Sequence, residues 1–228
     1  MPERRNSQNL SYLGVGVYSA TQAARLIHAA PLSIRRWLGG YENYPPLWTT
    51  QLPATDGQLR LGFLDLMELR FVREFRGYGV SLQHIRKVIR KARDLIRPNH
   101  PLSTRTFRTD GRDILADVAN ETGDHRLLNL RNEQWGFEEA IGPSIVADVV
   151  FSDNDWAEQW WPVGRDRGIV IDPKRAFGQP ILARFGIPTR MVAITAKTEG
   201  DFKKAADILG ISREAARDAL DFEHAFAV

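Results

Sequence analysis

Apolar positions in the first hundred residues recur at helical spacing in four blocks. The first block predicts a helix over 19–27, with Ser19 as its N-cap. The second runs over 31–38. Pro31 sits in its first turn, where a missing N–H costs nothing, and Gly39-Gly40 stops it. The periodicity then lapses into a Pro-rich aromatic segment, Tyr44-Pro45-Pro46-Leu47-Trp48, closed by the turn signal Thr55-Asp56-Gly57. A third helix spans 63–75 and is broken by Gly77 and Gly79. Ser81 caps the fourth, 82–96, whose apolar stripe is Ile85, Val88, Ile89, Ala92 and Ile96. The rest of that helix carries Arg86, Lys87, Arg90, Lys91, Arg93 and Arg97.

Pro98-Asn99-His100-Pro101 marks a boundary, and the pattern changes after it. Residues 104–109 and 114–118 read as two short strands around Asp110-Gly111. A helical turn follows at 138–145, then a strand at 145–151, with Trp156, Trp160 and Trp161 packing close by. Residues 168–171 and 191–194 are further strand candidates, and helices over 201–209 and 213–226 close the chain. The expected fold is mainly α with small β elements. A winged helix-turn-helix over 1–98 precedes a β-rich middle segment over 99–165 and a helix-turn-helix module over 166–228.

Charge sharpens this division. Residues 1–100 hold 15 Lys or Arg against 7 Asp or Glu, a balance of +8; the remainder holds 16 against 21, a balance of −5. A polyanion is drawn to the first half and mildly repelled by the second. The chain has no cysteine, which removes disulfides, thiolate metal sites and cysteine nucleophiles together and fits a reducing cytoplasm. Its five histidines show no paired ligand spacing, so neither a metal nor a cofactor is expected. No apolar run approaches the ~18 residues of a membrane span, and residues 1–6 lack the apolar core of a signal peptide.

A helix-turn-helix needs a small residue in its first helix, a tight turn four residues on, and an apolar anchor early in its second. Ala24, His28 and Ile34 fall at those offsets. The second helix then offers Leu32, Ser33, Arg35 and Arg36 to a major groove, where arginine can bond guanine bidentately or clamp phosphate. Arg60 near the wing is a candidate phosphate contact, and Arg4 and Arg5 form an arm suited to a minor groove. The basic face of the fourth helix reads first as a solvated polar surface, with a phosphate-tracking ridge as the alternative.

The stretch from Tyr18-Ser19-Ala20-Thr21 to Leu26-Ile27, followed by Ser33-Ile34-Arg35-Arg36-Trp37, resembles the opening of a MerR-type winged helix domain. Leu64-Asp65-Leu66-Met67-Glu68-Leu69 and Gly79-Val80-Ser81-Leu82-Gln83-His84-Ile85 resemble that family's later helix and turn. Three features depart from it: His28 stands where glycine is usual, the wing is long and rich in Pro and Trp, and the fourth helix does not run on into the long dimerisation coiled coil of ligand-sensing members. The resemblance implies a homodimer on an inverted repeat of double-stranded DNA.

Near the end, Ala206, Gly210 and Ala216 repeat the helix-turn-helix spacing, with Ser212 as N-cap. Asp207, Glu214, Asp218, Asp221 and Glu223 crowd these helices, which favours protein contact or dimerisation over DNA. Upstream, Gly178-Gln179-Pro180-Ile181, Gly186-Ile187-Pro188-Thr189-Arg190 and the final Ala219-Leu220-Asp221-Phe222 resemble an antitoxin-associated family known as domain of unknown function 433. A winged helix followed by such a module resembles a VapB-type antitoxin. That resemblance implies a PIN-like ribonuclease toxin neutralised by direct binding, and repression of the module's own promoter. Arginine set against clustered carboxylates can displace their metal, so Arg175, Arg184 and Arg190 are candidate toxin contacts. Trp160 and Trp161 join them, although such a cluster is more often core than interface.

The acidic run Asp148, Asp153, Asp155 and Glu158 lacks a neighbouring basic groove or general base, and the chain has no P-loop and no Gly-x-Ser-x-Gly elbow. No catalysis is expected. A free-standing regulator with a ligand-sensing second half is the alternative function, and a scaffold with both helix-turn-helix units in protein contact is a third.

Overall fold

The structure, a computed structural model, describes residues 13–97, 99–127 and 148–226. Arg4, Arg5, the helical turn expected at 138–145 and the start of the strand expected from 145 lie outside them.

Strand β1 (Tyr18–Ser19) runs directly into helix α1 (Ala20–Leu26). Ser19 makes the junction: its hydroxyl accepts from the Gln22 N–H while the Gln22 side chain accepts from the Ser19 N–H, a complete capping box. Helix α2 (Pro31–Gly39) begins on its proline and stops at Gly40, whose φ is 80°. Strand β2 (Arg60–Leu61) returns antiparallel to β1, with Tyr18 opposite Leu61 and Ser19 opposite Arg60. In the intervening wing, Thr55 and Gln58 bridge across Asp56 and Gly57. Both central residues have positive φ, as a type I′ turn requires.

Helix α3 (Phe63–Gly77) continues through Gly77, and the break falls at Gly79, whose φ is 79°. Helix α4 (Leu82–Leu95) starts on Ser81, whose hydroxyl accepts from the His84 N–H. The two strands expected at 104–109 and 114–118 are instead one helix, α5 (Arg105–Thr122). Thr104 is its N-cap, accepting from the Phe107 N–H at 3.0 Å. Phe107, Gly111, Ile114, Leu115, Val118 and Ala119 are its buried face. That spacing of three and four outweighs the local Thr/Arg alternation, and Asp110-Gly111 lies mid-helix rather than in a turn.

Five short strands then form an antiparallel meander: β3 (Val149–Phe151), β4 (Ala157–Trp160), β5 (Ile169–Ile171), β6 (Pro180–Leu182) and β7 (Ile187–Pro188). A register shift interrupts the β3–β4 ladder between Val150 and Phe151. Residues 191–194, expected as a strand, belong to helix α6 (Thr189–Glu199). Val192 and Ala196 face inward at spacing four, whereas Met191 and Ile194 are exposed, so the β-branched content of the run was no guide to its period. Helices α7 (Phe202–Leu209) and α8 (Arg213–Ala225) pack with α6.

One contiguous apolar core joins these parts. It runs from Tyr18 and Ile34 through Phe63, Phe75 and Phe107 to Trp160, Ile171, Val192 and Phe222. No helix among the described residues is long and apolar enough to cross a membrane.

Candidate nucleic-acid interface

Helices α1 and α2 approach closely because Ala24 is buried against the crossing and Ile34 fills it. His28 occupies the turn at φ 52°, in the left-handed region that a non-glycine residue adopts at a cost. Its ring packs on Phe226, centroids 4.5 Å apart, which holds the conformation in place. From this scaffold α2 presents Leu32, Arg35 and Arg36 to solvent, with Ser33 half-buried between them. Neither arginine is ion-paired to a described residue, and the Arg36 guanidinium lies 4.7 Å over the Tyr41 ring. The surface is cationic and open.

The wing is fixed from beneath by a single carboxylate. Asp65, fully buried in the first turn of α3, accepts from Trp48 Nε1 at 2.8 Å, the Gln51 N–H at 2.9 Å and the Gly62 N–H at 2.8 Å. Burial pushes its carboxyl above the usual range, while His100 and the three donors pull it back. Leu47, Trp48 and Leu52 are buried alongside. Arg60 is half-buried in β2, opposite Ser19 rather than at the wing tip. One turn on, Glu68 accepts from the Leu102 N–H at 2.8 Å, and its second oxygen lies 3.4 Å from His100 Nδ1. Burial disfavours a charged His100, but the Glu68 and Asp65 carboxylates outweigh burial and the nearby Arg93, so its pKa is raised.

The carboxy-terminal helices and the turn before β6 dock onto β1 and α1. The Tyr18 hydroxyl donates to the Gly178 carbonyl at 2.8 Å in a buried site, and the Val17 N–H donates to the Phe177 carbonyl at 3.0 Å. Arg25 of α1 donates to Glu223 of α8 at 2.7 Å, and the other Glu223 oxygen accepts from the Thr189 hydroxyl at 2.6 Å. Tyr18, Arg25, Thr189 and Glu223, with Gln22 and Arg190, line a small cleft between α1, α6 and α8. Between α7 and α8, Ala206 and Ala216 are buried, Gly210 turns at φ 63°, and the Ser212 hydroxyl accepts from the Ala215 N–H. The far end of α8, however, lies against α1 and its turn through Glu223 and Phe226.

The candidate toxin contacts do not form one patch. Arg190 is exposed at the cleft, and Arg184 is exposed above the Phe185 ring. Arg175 is half-buried and donates to the Ala183 carbonyl at 2.9 Å. Trp160 is only 6% exposed, its ring covered by the Arg70 guanidinium at 4.1 Å. Burial lowers the Arg70 pKa to about 9. Trp161 is half-buried, with Arg165 against its ring. In the acidic run, Asp155 accepts from the Thr106 N–H and hydroxyl at the start of α5, and Glu158 pairs with Lys174. No group of three His, Asp or Glu suited to a metal occurs among the described residues.

Sequence reasoning missed Asp65, Glu223 and Tyr18 as organising residues. For Asp65 a signal existed: an acidic residue at the third position of a helix whose preceding segment is rich in donors. The partners of Tyr18 and Glu223 lie too far along the chain for any local signal.

No family model matches the chain. Over 225 residues it is 27% identical to a Mycobacterium tuberculosis protein named "Putative antitoxin VapB45", covering 91% of this chain and 93% of that protein. Its fold matches the crystal structure of Rv2018 from the same organism, with a TM-score of 0.74 and 25% identity, covering 92% of this chain and 99% of that one. Similarity to an antitoxin therefore extends across both halves of the chain.

Proposed function

We propose that the chain is a DNA-binding antitoxin that neutralises a ribonuclease of PIN-like fold and represses its own promoter. The observation that carries the reading is similarity to an antitoxin over nine-tenths of the chain, helix-turn-helix and docked module together. The exposed, unpaired Arg35 and Arg36 on α2 support the DNA-binding part. In this reading α2 enters the major groove, Arg35 and Arg36 meet base edges or phosphates, and Leu32 and Ser33 line the approach. Two copies bind the two halves of an inverted repeat. The toxin is held by the second half, where Arg184 and Arg190 are the exposed cations able to reach carboxylates that hold a catalytic metal. The reading gives the chain no catalytic step of its own. Metal-dependent RNA cleavage by the purified chain, lost in Asp153→Asn, would overturn that.

The test is co-expression with the product of the adjacent gene. A stable complex that suppresses the partner's ribonuclease activity and shifts a duplex carrying the shared promoter is expected. A neighbour without a carboxylate-rich PIN-like sequence, or a purified pair that neither associates nor loses ribonuclease activity, overturns the antitoxin reading.

A further inference from the structure

Helix α4 carries cations on two flanks, and the fold treats the flanks differently. On the side facing α5 they are neutralised. His84 bonds Asp124, and Lys91 pairs with Asp117 at 2.9 Å and Glu121 at 3.1 Å. On the other side stand Arg86, Arg90 and Arg93, which the helical repeat of about 100° per residue gathers into an arc of about 60°. Arg97 continues the row just past the C-cap, with its guanidinium 5.6 Å over the Trp156 ring. Among the described residues no carboxylate pairs with any of these four. Asp94, the one acidic residue of α4, is exposed and makes no ion pair with a described residue. The Nε atoms of Arg86 and Arg93 are buried and lack a hydrogen-bond partner.

The row is continuous with the face of α2. Arg86 donates to the Pro45 carbonyl of the wing, and it lines one groove together with Arg36, Tyr41 and Tyr44. A polyanion lying on Arg35 and Arg36 therefore meets Arg86 next and Arg90 one turn later. Residues four apart on a helix rise by about 6 Å. A duplex carries a charge every ~1.7 Å of its axis counted over both strands, so several phosphates lie along the length of the row. An isolated acidic side chain on a protein would satisfy one arginine of the row and leave the others.

We propose that Arg86, Arg90, Arg93 and Arg97 form a second nucleic-acid contact, a ridge that tracks the sugar-phosphate backbone of the duplex held by α2. The ridge adds affinity and salt dependence without reading sequence. It rests on the DNA-binding reading above, and its test separates the two.

The full-length chain is titrated at several KCl concentrations with two duplexes, one carrying its promoter and one of unrelated sequence. Arg90→Gln is expected to reduce the slope of log K against log salt by about 0.9 on both duplexes, leaving the ratio of their affinities unchanged. Arg90→Lys restores the slope, since a phosphate contact needs a point charge rather than a fork. Lys91→Gln, on the α5 side where Asp117 and Glu121 already pair with it, leaves it unchanged. An unaltered slope in Arg90→Gln, or an equal loss in Lys91→Gln, overturns the ridge. If Arg35→Ala weakens promoter binding in the same experiment, the role of α2 stands while the ridge falls. A wild-type chain that binds neither duplex overturns both.

Discussion

Tyr18 and Gly178, 160 positions apart in sequence, are joined by a buried hydrogen bond from the Tyr18 hydroxyl to the Gly178 carbonyl. The contact places the turn before β6 against the strand that leads into α1. Gly178 has φ 78°, and a Cβ there would stand 2.2 Å from the Tyr18 hydroxyl oxygen and 3.1 Å from the Gly16 Cα. Glycine is required both for the backbone conformation and for the approach.

Gly178→Ala and Tyr18→Phe should therefore differ in severity. Tyr18→Phe strands one buried carbonyl, a cost of about 1–3 kcal/mol. Gly178→Ala adds backbone strain and a clash with a rigid ring, and is expected to cost more. Urea denaturation of the two variants checks the order. Equal midpoints, or an alanine variant as stable as wild type, would contradict it.

Arg35→Ala and Arg36→Ala should each weaken promoter binding by about 1–3 kcal/mol where the side chain reads a base, with relaxed specificity at one position of the site. A phosphate contact gives a uniform loss on all duplexes instead. Binding measured across a set of single-base operator variants separates the two, and wild-type affinity in both variants would remove α2 from the interface.

The helices of the first half were legible because caps and apolar period agree: Ser19, Pro31 and Ser81 stand where the hydrophobic blocks begin. The middle was misread where they disagreed. The Thr/Arg alternation at 104–109 mimics a strand, whereas the burial of Phe107, Gly111 and Ile114 follows a helix. Leu32, Arg35 and Arg36 were identified from spacing, and the structure leaves all three exposed. The docking of α8 on α1 was invisible, because Arg25 and Glu223 each read locally as a solvated charge and only the tertiary fold places them 2.7 Å apart.

That ion pair is partly shielded, with side-chain exposures of 30% for Arg25 and 10% for Glu223. A double-mutant cycle with Arg25→Ala and Glu223→Gln should give a coupling on the order of 0.5–1 kcal/mol, weakened by salt. Thr189→Val should add to the destabilisation, since Glu223 then loses its second partner. Strict additivity of Arg25→Ala and Glu223→Gln would mean that the pair contributes nothing.

His100 predicts a pH dependence. Its pKa is raised in the folded chain because the Glu68 and Asp65 carboxylates outweigh burial and the opposing Arg93. The stabilisation is fully present below the unfolded value of about 6.5 and is lost as pH rises through the folded value. The urea midpoint should therefore fall as pH rises above about 6.5, and His100→Gln should flatten that fall. The left-handed backbone at φ 48° penalises either residue alike, so only the pH-dependent part is diagnostic. Superimposable profiles for the two proteins would exclude the effect.

The packing of Phe226 on His28 has a consequence for biogenesis. Residues 19–39 emerge from the ribosome long before Phe226, so the strained turn between α1 and α2 gains its supporting ring only after α8 has been translated. Contacts this distant in sequence form late and slowly. A half-made polypeptide therefore holds α2 on an unfinished mount, and that helix reaches its final setting only once the residues around Phe226 have been made.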